Sequence, residues 1–229
     1  MVALLRQNYQ QVITRLSSAQ QACQTALAPT LLAVSKNHSV EKIRTLAALG
    51  QQAFGENYLQ EATAKIQALS DLALEWHYIG AIQSNKTRAI AENFSWVQSV
   101  DRLKVAQRLS EHRPEHLPPL QILIQVNIDQ ETQKAGADVA DVGTLAQQII
   151  NLPKLQLRGL MGLPQAGQTE ADTLHSFQAL AALFHKIQHL DAKIDTLSMG
   201  MSNDMELAIR AGSNMIRIGT ALFGARQYS

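Results

Sequence analysis

Short apolar runs and longer amphipathic stretches alternate along this chain. The first run, Leu31-Leu32-Ala33-Val34, is apolar at every position, which reads as a strand buried on both faces in a parallel sheet covered by helices. Further runs of this kind occupy residues 52–54, 75–79, 96–100, 121–126, 157–160, 194–197 and 215–218. Between them, apolar positions recur at helical spacing over 39–49, 57–69, 85–92, 102–112, 138–150, 170–190 and 203–211, and Thr220 can open one more short helix. Ahead of the first strand, residues 1–27 carry Leu4, Leu5, Val12, Ile13, Leu16 and Leu27 at helical spacing, and Pro29 stops them. Eight strands, each followed by a helix, predict an α/β fold: a single closed (β/α)8 barrel of the TIM type with an additional N-terminal helix. An open doubly wound sheet would carry a G-x-G-x-x-G turn after its first strand. The turn here is Ser35-Lys36-Asn37-His38, without glycine. No linker, low-complexity tract or repeat interrupts the alternation, so one domain over residues 1–229 is expected.

Composition narrows the function classes. The chain is 46% hydrophobic and 17% charged, with a formal net charge of +1 and no basic cluster, which argues against nucleic acid as a partner. No apolar stretch approaches the roughly 18 residues that a membrane span needs, and the N-terminus turns polar at Arg6, too soon for a signal peptide. Cys23 is the only cysteine, so an intrachain disulfide and a thiolate metal cluster are both excluded. A cytoplasmic, monomeric protein is expected.

In a barrel of this type the chemistry collects at the C-terminal mouth, which gives each strand exit a meaning. Lys36 follows the first strand directly. At that rim a lysine is partly desolvated, burial disfavours its ammonium form, and a neutral amine can attack an aldehyde; alone, it could equally be a surface lysine that happens to follow a strand. The last two exits are more specific. Ser198-Met199-Gly200-Met201-Ser202-Asn203-Asp204 leads into one helix, and Gly219-Thr220 opens another. Helix starts offer free N–H groups, and the loops after strands 7 and 8 form the recurrent phosphate site of this fold. A lysine across the mouth from a phosphate cup suggests an aldehyde carrying a phosphate, with pyridoxal 5′-phosphate the obvious candidate. Asn57, at the second exit, could line the site or simply cap the helix after it.

These residues sit in a longer resemblance. Ala33-Val34-Ser35-Lys36, Phe54-Gly55-Glu56-Asn57-Tyr58, the run from His77 to Arg88, Asn127 with Glu131, Lys134 and Gly136, Gly159-Leu160-Met161, and the closing segment from Leu197 to Arg226 occur in order over nearly the whole chain. In these motifs the chain resembles the pyridoxal-phosphate homeostasis proteins, a family related to the barrel domain of alanine racemase. It departs from the pattern in lacking a proline after the lysine loop and in carrying Asn214 where threonine is usual. The resemblance implies that Lys36 holds the cofactor as an internal aldimine, that Ser198, Ser202, Gly219 and Thr220 receive the phosphate, that Asn57 lines the cavity, and that Arg217 faces the pyridine nitrogen. His77 and Asn85 fall in the right motif with open roles, a core histidine being as good a reading of His77 as a ligand contact. Lys134 matches a family lysine near the mouth.

A guanidinium only donates, so Arg217 favours an unprotonated pyridine and suits mild imine chemistry or storage. Racemases of this ancestry carry a further β-domain that covers the site, whereas eleven residues follow Ile218 here, which predicts an open mouth. The expectation is a cofactor carrier rather than an enzyme, in vitamin B6 homeostasis, with apo-enzymes as recipients. The alternatives are a racemase or decarboxylase acting on a small amino acid, and an interaction protein whose partner reads the loaded state.

Overall fold

Eight parallel strands close into a barrel in chain order: β1 (Thr30–Val34), β2 (Ala53–Glu56), β3 (Glu75–Tyr78), β4 (Trp96–Val100), β5 (Leu120–Val126), β6 (Leu155–Gly162), β7 (Thr196–Ser198) and β8 (Met215–Ile218). Closure is made by β8 pairing with β1, Leu32 lying against Arg217 and Ala33 against Ile218. The computed structural model describes residues 2–24, 28–131 and 135–224. Leu27, Lys134 and Arg226 of the sequence reading lie outside the described residues.

Helices α1 (Val2–Cys23), α2 (Val40–Ala48), α3 (Leu59–Ala68), α4 (Thr87–Asn93), α5 (Leu103–His112), α6 (Val142–Ile150), α7 (Glu170–Ile187), α8 (Met205–Arg210) and α9 (Thr220–Phe223) follow the expected order. Several starts lie later than expected, two of them with a visible local cause. The segment from residue 85 first makes a 3-10 turn, Ser84–Lys86, before α4. The helix expected from 138 begins only at Val142, because Ala137 pairs with Val126 and accepts from the Asn127 N–H, which keeps the incoming backbone extended.

α9 has only four residues, too few to cover the seam between β8 and β1. α1 covers it instead. Its buried positions Leu5, Val12, Leu16 and Ala19 form one stripe, and the helix packs against α2, α8 and α9. Arg15 on α1 reaches Glu206 at 2.8 Å and the Ser202 carbonyl at 3.1 Å, tying the helix to the loop after β7.

β6 is longer than expected, and its register against β5 shifts between Ile122 and Leu123. Gly159 makes the shift possible: its φ is +146°, and a Cβ there would run into the Thr196 carbonyl oxygen.

Bulky branched side chains fill the usual barrel of this class. Here the interior carries two small apolar clusters, Leu32 with Ala53 and Met215, and Trp96 with Leu123 and Met161. The buried polar side chains His77, Gln98, Ser198 and Arg217 come from β3, β4, β7 and β8. The main apolar core lies between barrel and helices.

Candidate functional site

A cavity of about 480 Å³ opens at the C-terminal end of the strands, lined by Val34, Lys36, His38, Asn57, Ile79, Met161, Leu163, Met201, Ser202, Asn203, Arg217, Gly219 and Thr220. Its size suits a small ligand. A cavity beside the N-terminal end of α1 is larger, about 710 Å³, but its lining of Val2, Ala3, Arg6, Gln7, Gln10 and Gln11 brings no set of reactive groups together.

Six of the seven residues singled out from sequence meet in the mouth cavity: Lys36, Asn57, Ser202, Arg217, Gly219 and Thr220. Because β1 and β8 are neighbours, Lys36 and the Gly219-Thr220 exit are adjacent on the rim rather than across it. Asn57 does not cap α3, which starts at Leu59 with Tyr58 at the cap position. A Cβ on Gly80 would overlap the Asn57 carbonyl, so this glycine lets the strand-2 exit pack closely on the strand-3 exit. Asn57 Oδ1 is buried without a partner among the described residues, an unmet acceptor in the wall of the cavity.

Ser198 is the exception. It is fully buried and lines no part of the cavity; its hydroxyl donates to Gln98 Oε1 at 2.8 Å and accepts from Arg217 Nη1 at 2.7 Å. Its hydroxyl is committed to holding Arg217, and the phosphate role expected for it does not fit. The two helix starts also differ from each other. Asp204 is the cap residue of α8, and its carboxylate accepts from the Met201 N–H at 2.5 Å, so negative charge already occupies that start. Ser202, Asn203 and the Gly219-Thr220 turn remain as the polar wall.

Arg217 is buried with every described side-chain hydrogen bond on its terminal nitrogens: Nη1 to the Ser198 carbonyl at 2.7 Å and to Ser198 Oγ, Nη2 to the Gly162 carbonyl at 2.8 Å. Burial pulls its guanidinium down to about 10, Asp204 opposing, which leaves it a cation at neutral pH.

The lysine loop is held from beneath by a buried ion network. Lys65 Nζ donates to the Ser35 carbonyl at 2.7 Å, Glu56 Oε1 at 2.7 Å and Glu61 Oε1 at 2.6 Å. Ser35 Oγ also donates to Glu56 at 2.6 Å, and the Asn37 N–H donates to Glu61 at 2.6 Å. The residues on both sides of Lys36 are thereby fixed to α3 and β2. Burial raises the Glu56 carboxyl while the Lys65 charge opposes it.

Residues 3–227 match the family model described as alanine racemase, N-terminal domain. The chain is 49% identical over 230 residues to the pyridoxal phosphate homeostasis protein of Vibrio alginolyticus, covering 98% of this chain and 99% of that one. It is 46% identical over 226 residues to the Escherichia coli protein of the same name, covering 97% of each. The chain belongs to the pyridoxal phosphate homeostasis protein family. Among solved structures, PipY of Synechococcus elongatus with pyridoxal phosphate bound superposes with a TM-score of 0.79 at 38% identity, covering 91% of this chain and all of that one. Alanine racemase from Corynebacterium glutamicum shares the fold, with a TM-score of 0.68 at 19% identity over 98% of this chain and 61% of that one.

Within this homeostasis-family barrel, sequence reasoning missed His38 and Gln98. His38 lines the cavity and stacks on Phe223 with ring centroids 4.6 Å apart; its place two residues after Lys36 was the available signal. Gln98 lies in the middle of the buried strand Trp96–Val100, where a buried amide signals a polar partner inside the barrel. His77 is wholly buried in the interior rather than at the cavity, and Asn85 is exposed in the 3-10 turn. Among the described residues no group of three metal-ligating side chains forms, and no helix is long and apolar enough to cross a membrane.

Proposed function

We propose that this chain binds pyridoxal 5′-phosphate covalently at Lys36 and acts as a carrier of the cofactor in vitamin B6 homeostasis rather than as an enzyme. The observation that carries the reading is the convergence of a lysine, an unmet Asn57 acceptor, a cationic guanidinium and two hydroxyl side chains on one cavity of about 480 Å³. That set of donors with one acceptor fits a phosphorylated aromatic aldehyde with a ring nitrogen. When bound, pyridoxal phosphate supplies an aldehyde carbon that condenses with an amine, with loss of water, and is released when water or another amine adds.

Each residue has a separable task. Lys36 provides the amine, held in place by the anchored Ser35 and Asn37. Ser202 and Thr220 hydroxyls, with the N–H groups at the start of α9, receive the phosphate. Arg217 donates to the ring nitrogen and stays protonated, which keeps the pyridine unprotonated. Ile79, Met161 and Leu163 supply apolar contact for the ring.

Support for a carrier comes from the titratable groups. Racemisation needs a positioned base on each face of the α-carbon. The described cavity wall offers Lys36, His38 and Arg217, of which Arg217 is a fixed cation and His38 is stacked on Phe223. The homeostasis names of the relatives agree with this reading. Mixed with an apo-enzyme that needs the cofactor, the loaded chain is expected to restore its activity. Turnover of alanine and other common amino acids, followed by chiral analysis, is expected to stay at the level of free cofactor. Stereo-inversion well above that level, lost in Lys36→Ala or His38→Gln, would show an enzyme with His38 as the second base.

The phosphate wall is tested by affinity. Changing Ser202 and Thr220 to alanine is expected to weaken pyridoxal phosphate by about ten- to hundredfold per lost hydrogen bond to the charged group, with little effect on pyridoxal. Equal weakening of both ligands in equilibrium titrations would assign these hydroxyls to the fold instead.

A further inference from the structure

A line of hydrogen-bonded side chains runs through the barrel interior, and the binding chemistry above uses only its last member. Glu75 Oε1, at the start of β3, lies 2.8 Å from His77 Nε2. His77 Nδ1 lies 2.9 Å from Gln98 Nε2, Gln98 Oε1 lies 2.8 Å from Ser198 Oγ, and Ser198 Oγ lies 2.7 Å from Arg217 Nη1. The side chain of Glu75 is 46% exposed, while the other four residues are buried.

Donor and acceptor roles are forced along this line. A guanidinium has only donors, so Ser198 Oγ accepts from it and gives its own proton to the Gln98 amide oxygen. That turns the amide NH2 toward His77 Nδ1, which must then be the bare ring nitrogen. The ring proton sits on Nε2 and goes to the Glu75 carboxylate. His77 is therefore a neutral imidazole of the Nε2–H tautomer, stacked on Trp96 with centroids 5.1 Å apart. Complete burial, which lowers the pKa of an imidazole, works in the same direction. Every link has one polarity, from the cavity to the far end of the barrel.

We propose that Gln98 and His77 are positioning residues that, through Ser198, hold Arg217 in one orientation and so make the cavity select a ligand whose aromatic ring carries an acceptor nitrogen. The choice of ligand, though not the relay, rests on the pyridoxal phosphate reading above. Ser198 takes both Nη1 hydrogens of Arg217 and Gly162 takes one of the two on Nη2, so among the described residues the second Nη2 N–H and Nε–H are left as donors for a ligand. Without the Gln98 oxygen, the Ser198 proton has no acceptor, the hydroxyl can turn, and the grip on Nη1 loosens.

Two measurements on the full chain decide this. The first needs no cofactor: ¹⁵N NMR of the His77 ring is expected to show the neutral Nε2–H tautomer at neutral pH. In Gln98→Glu the introduced carboxylate cannot donate to Nδ1, so the ring is expected to become an imidazolium. An Nδ1–H tautomer or an imidazolium in the unmodified chain would overturn the relay. The second compares pyridoxal phosphate with its analogue in which C–H replaces the ring nitrogen. The unmodified chain is expected to prefer pyridoxal phosphate by roughly tenfold or more, and Gln98→Leu to reduce that preference to within about twofold. A preference kept intact in Gln98→Leu, or an equal loss of both ligands with no change in preference, would overturn the positioning role. Should Gln98→Leu fail to fold in a thermal melt, the same preference measured in Gln98→Met, which also lacks the oxygen that accepts from Ser198, decides the point. If the unmodified chain binds neither ligand, the cofactor reading fails and takes the ligand half of this proposal with it, while the His77 tautomer still decides the relay.

Discussion

Lys36→Ala is expected to abolish covalent cofactor binding while leaving the fold intact. The unmodified chain mixed with pyridoxal phosphate should turn yellow, and borohydride should fix the cofactor's mass on the peptide that contains Lys36. Both signals should vanish in the variant. The argument is local. Lys36 is only half-buried at the rim and follows the last residue of β1 by two positions, so its truncation opens no core cavity. Ser35 and Asn37 keep their own bonds to Glu56, Lys65 and Glu61, so the loop has no reason to collapse. A change at such a position lies within about 0.5 kcal/mol of neutral, and the melting temperature should move by only a degree or two, on the order of what that energy gives for a chain of this size. Weaker, reversible binding of the phosphate should survive, because Ser202 and Thr220 are untouched. Retention of the yellow colour and of a fixed mass would remove Lys36 from the site and make Lys134 the next lysine to test.

Lys65→Met is expected to cost stability on a scale that the lysine at the mouth does not approach. Its ammonium makes three hydrogen bonds, to Ser35, Glu56 and Glu61, and its side chain is 6% exposed. The Glu56 side chain is 0% exposed, and one of its oxygens already has no partner among the described residues. Taking away the cation strands a buried carboxyl that must either stay ionised without a partner or take up a proton. Breaking a buried pair in this way costs about 3–5 kcal/mol, which for a chain of this length lowers the melting temperature by roughly 6–20 °C. Adding Glu56→Gln to Lys65→Met should recover part of the loss, because the neutral amide needs no counter-charge. The same substitution should also weaken cofactor binding, since the network anchors both neighbours of Lys36. A melting temperature within a degree or two of the unmodified chain would show that the geometry of Lys65 with the two carboxylates and the Ser35 carbonyl contributes nothing net. A large loss that Glu56→Gln fails to relieve would point to packing of the Lys65 stem instead of charge.

How far the sequence reaches can be followed residue by residue. The barrel was legible because strands buried on both faces are continuously apolar while their covering helices are not, a difference of period that needs no long-range information. The strand exits were legible for the same reason: once the order of elements is known, the mouth of the barrel is known, and Lys36, Asn57, Ser202, Gly219 and Thr220 are placed there by their position after a strand. What failed was anything decided by which way a side chain turns. Ser198 and Ser202 sit four residues apart in one motif and looked equivalent, yet Ser198 is the last residue of β7 and turns to Gln98 and Arg217, whereas Ser202 lies beyond the strand at the cavity. Asp204 likewise looked like part of an anion-binding helix start until its carboxylate was seen to occupy that start. The boundary at 138–142 moved because a bridge from the end of β5 overrode local propensity, and the one at 84–87 because a bond from Thr87 to the Ser84 carbonyl accompanies a tighter first turn. Period and position thus came from the chain itself, because they depend on neighbours a few residues away. The relay from Arg217 to Glu75 and the Lys65 clamp under Lys36 came only with the folded barrel, because Gln98 and Ser198, 100 residues apart, and Ser35 and Lys65, 30 apart, meet only when their elements pack together.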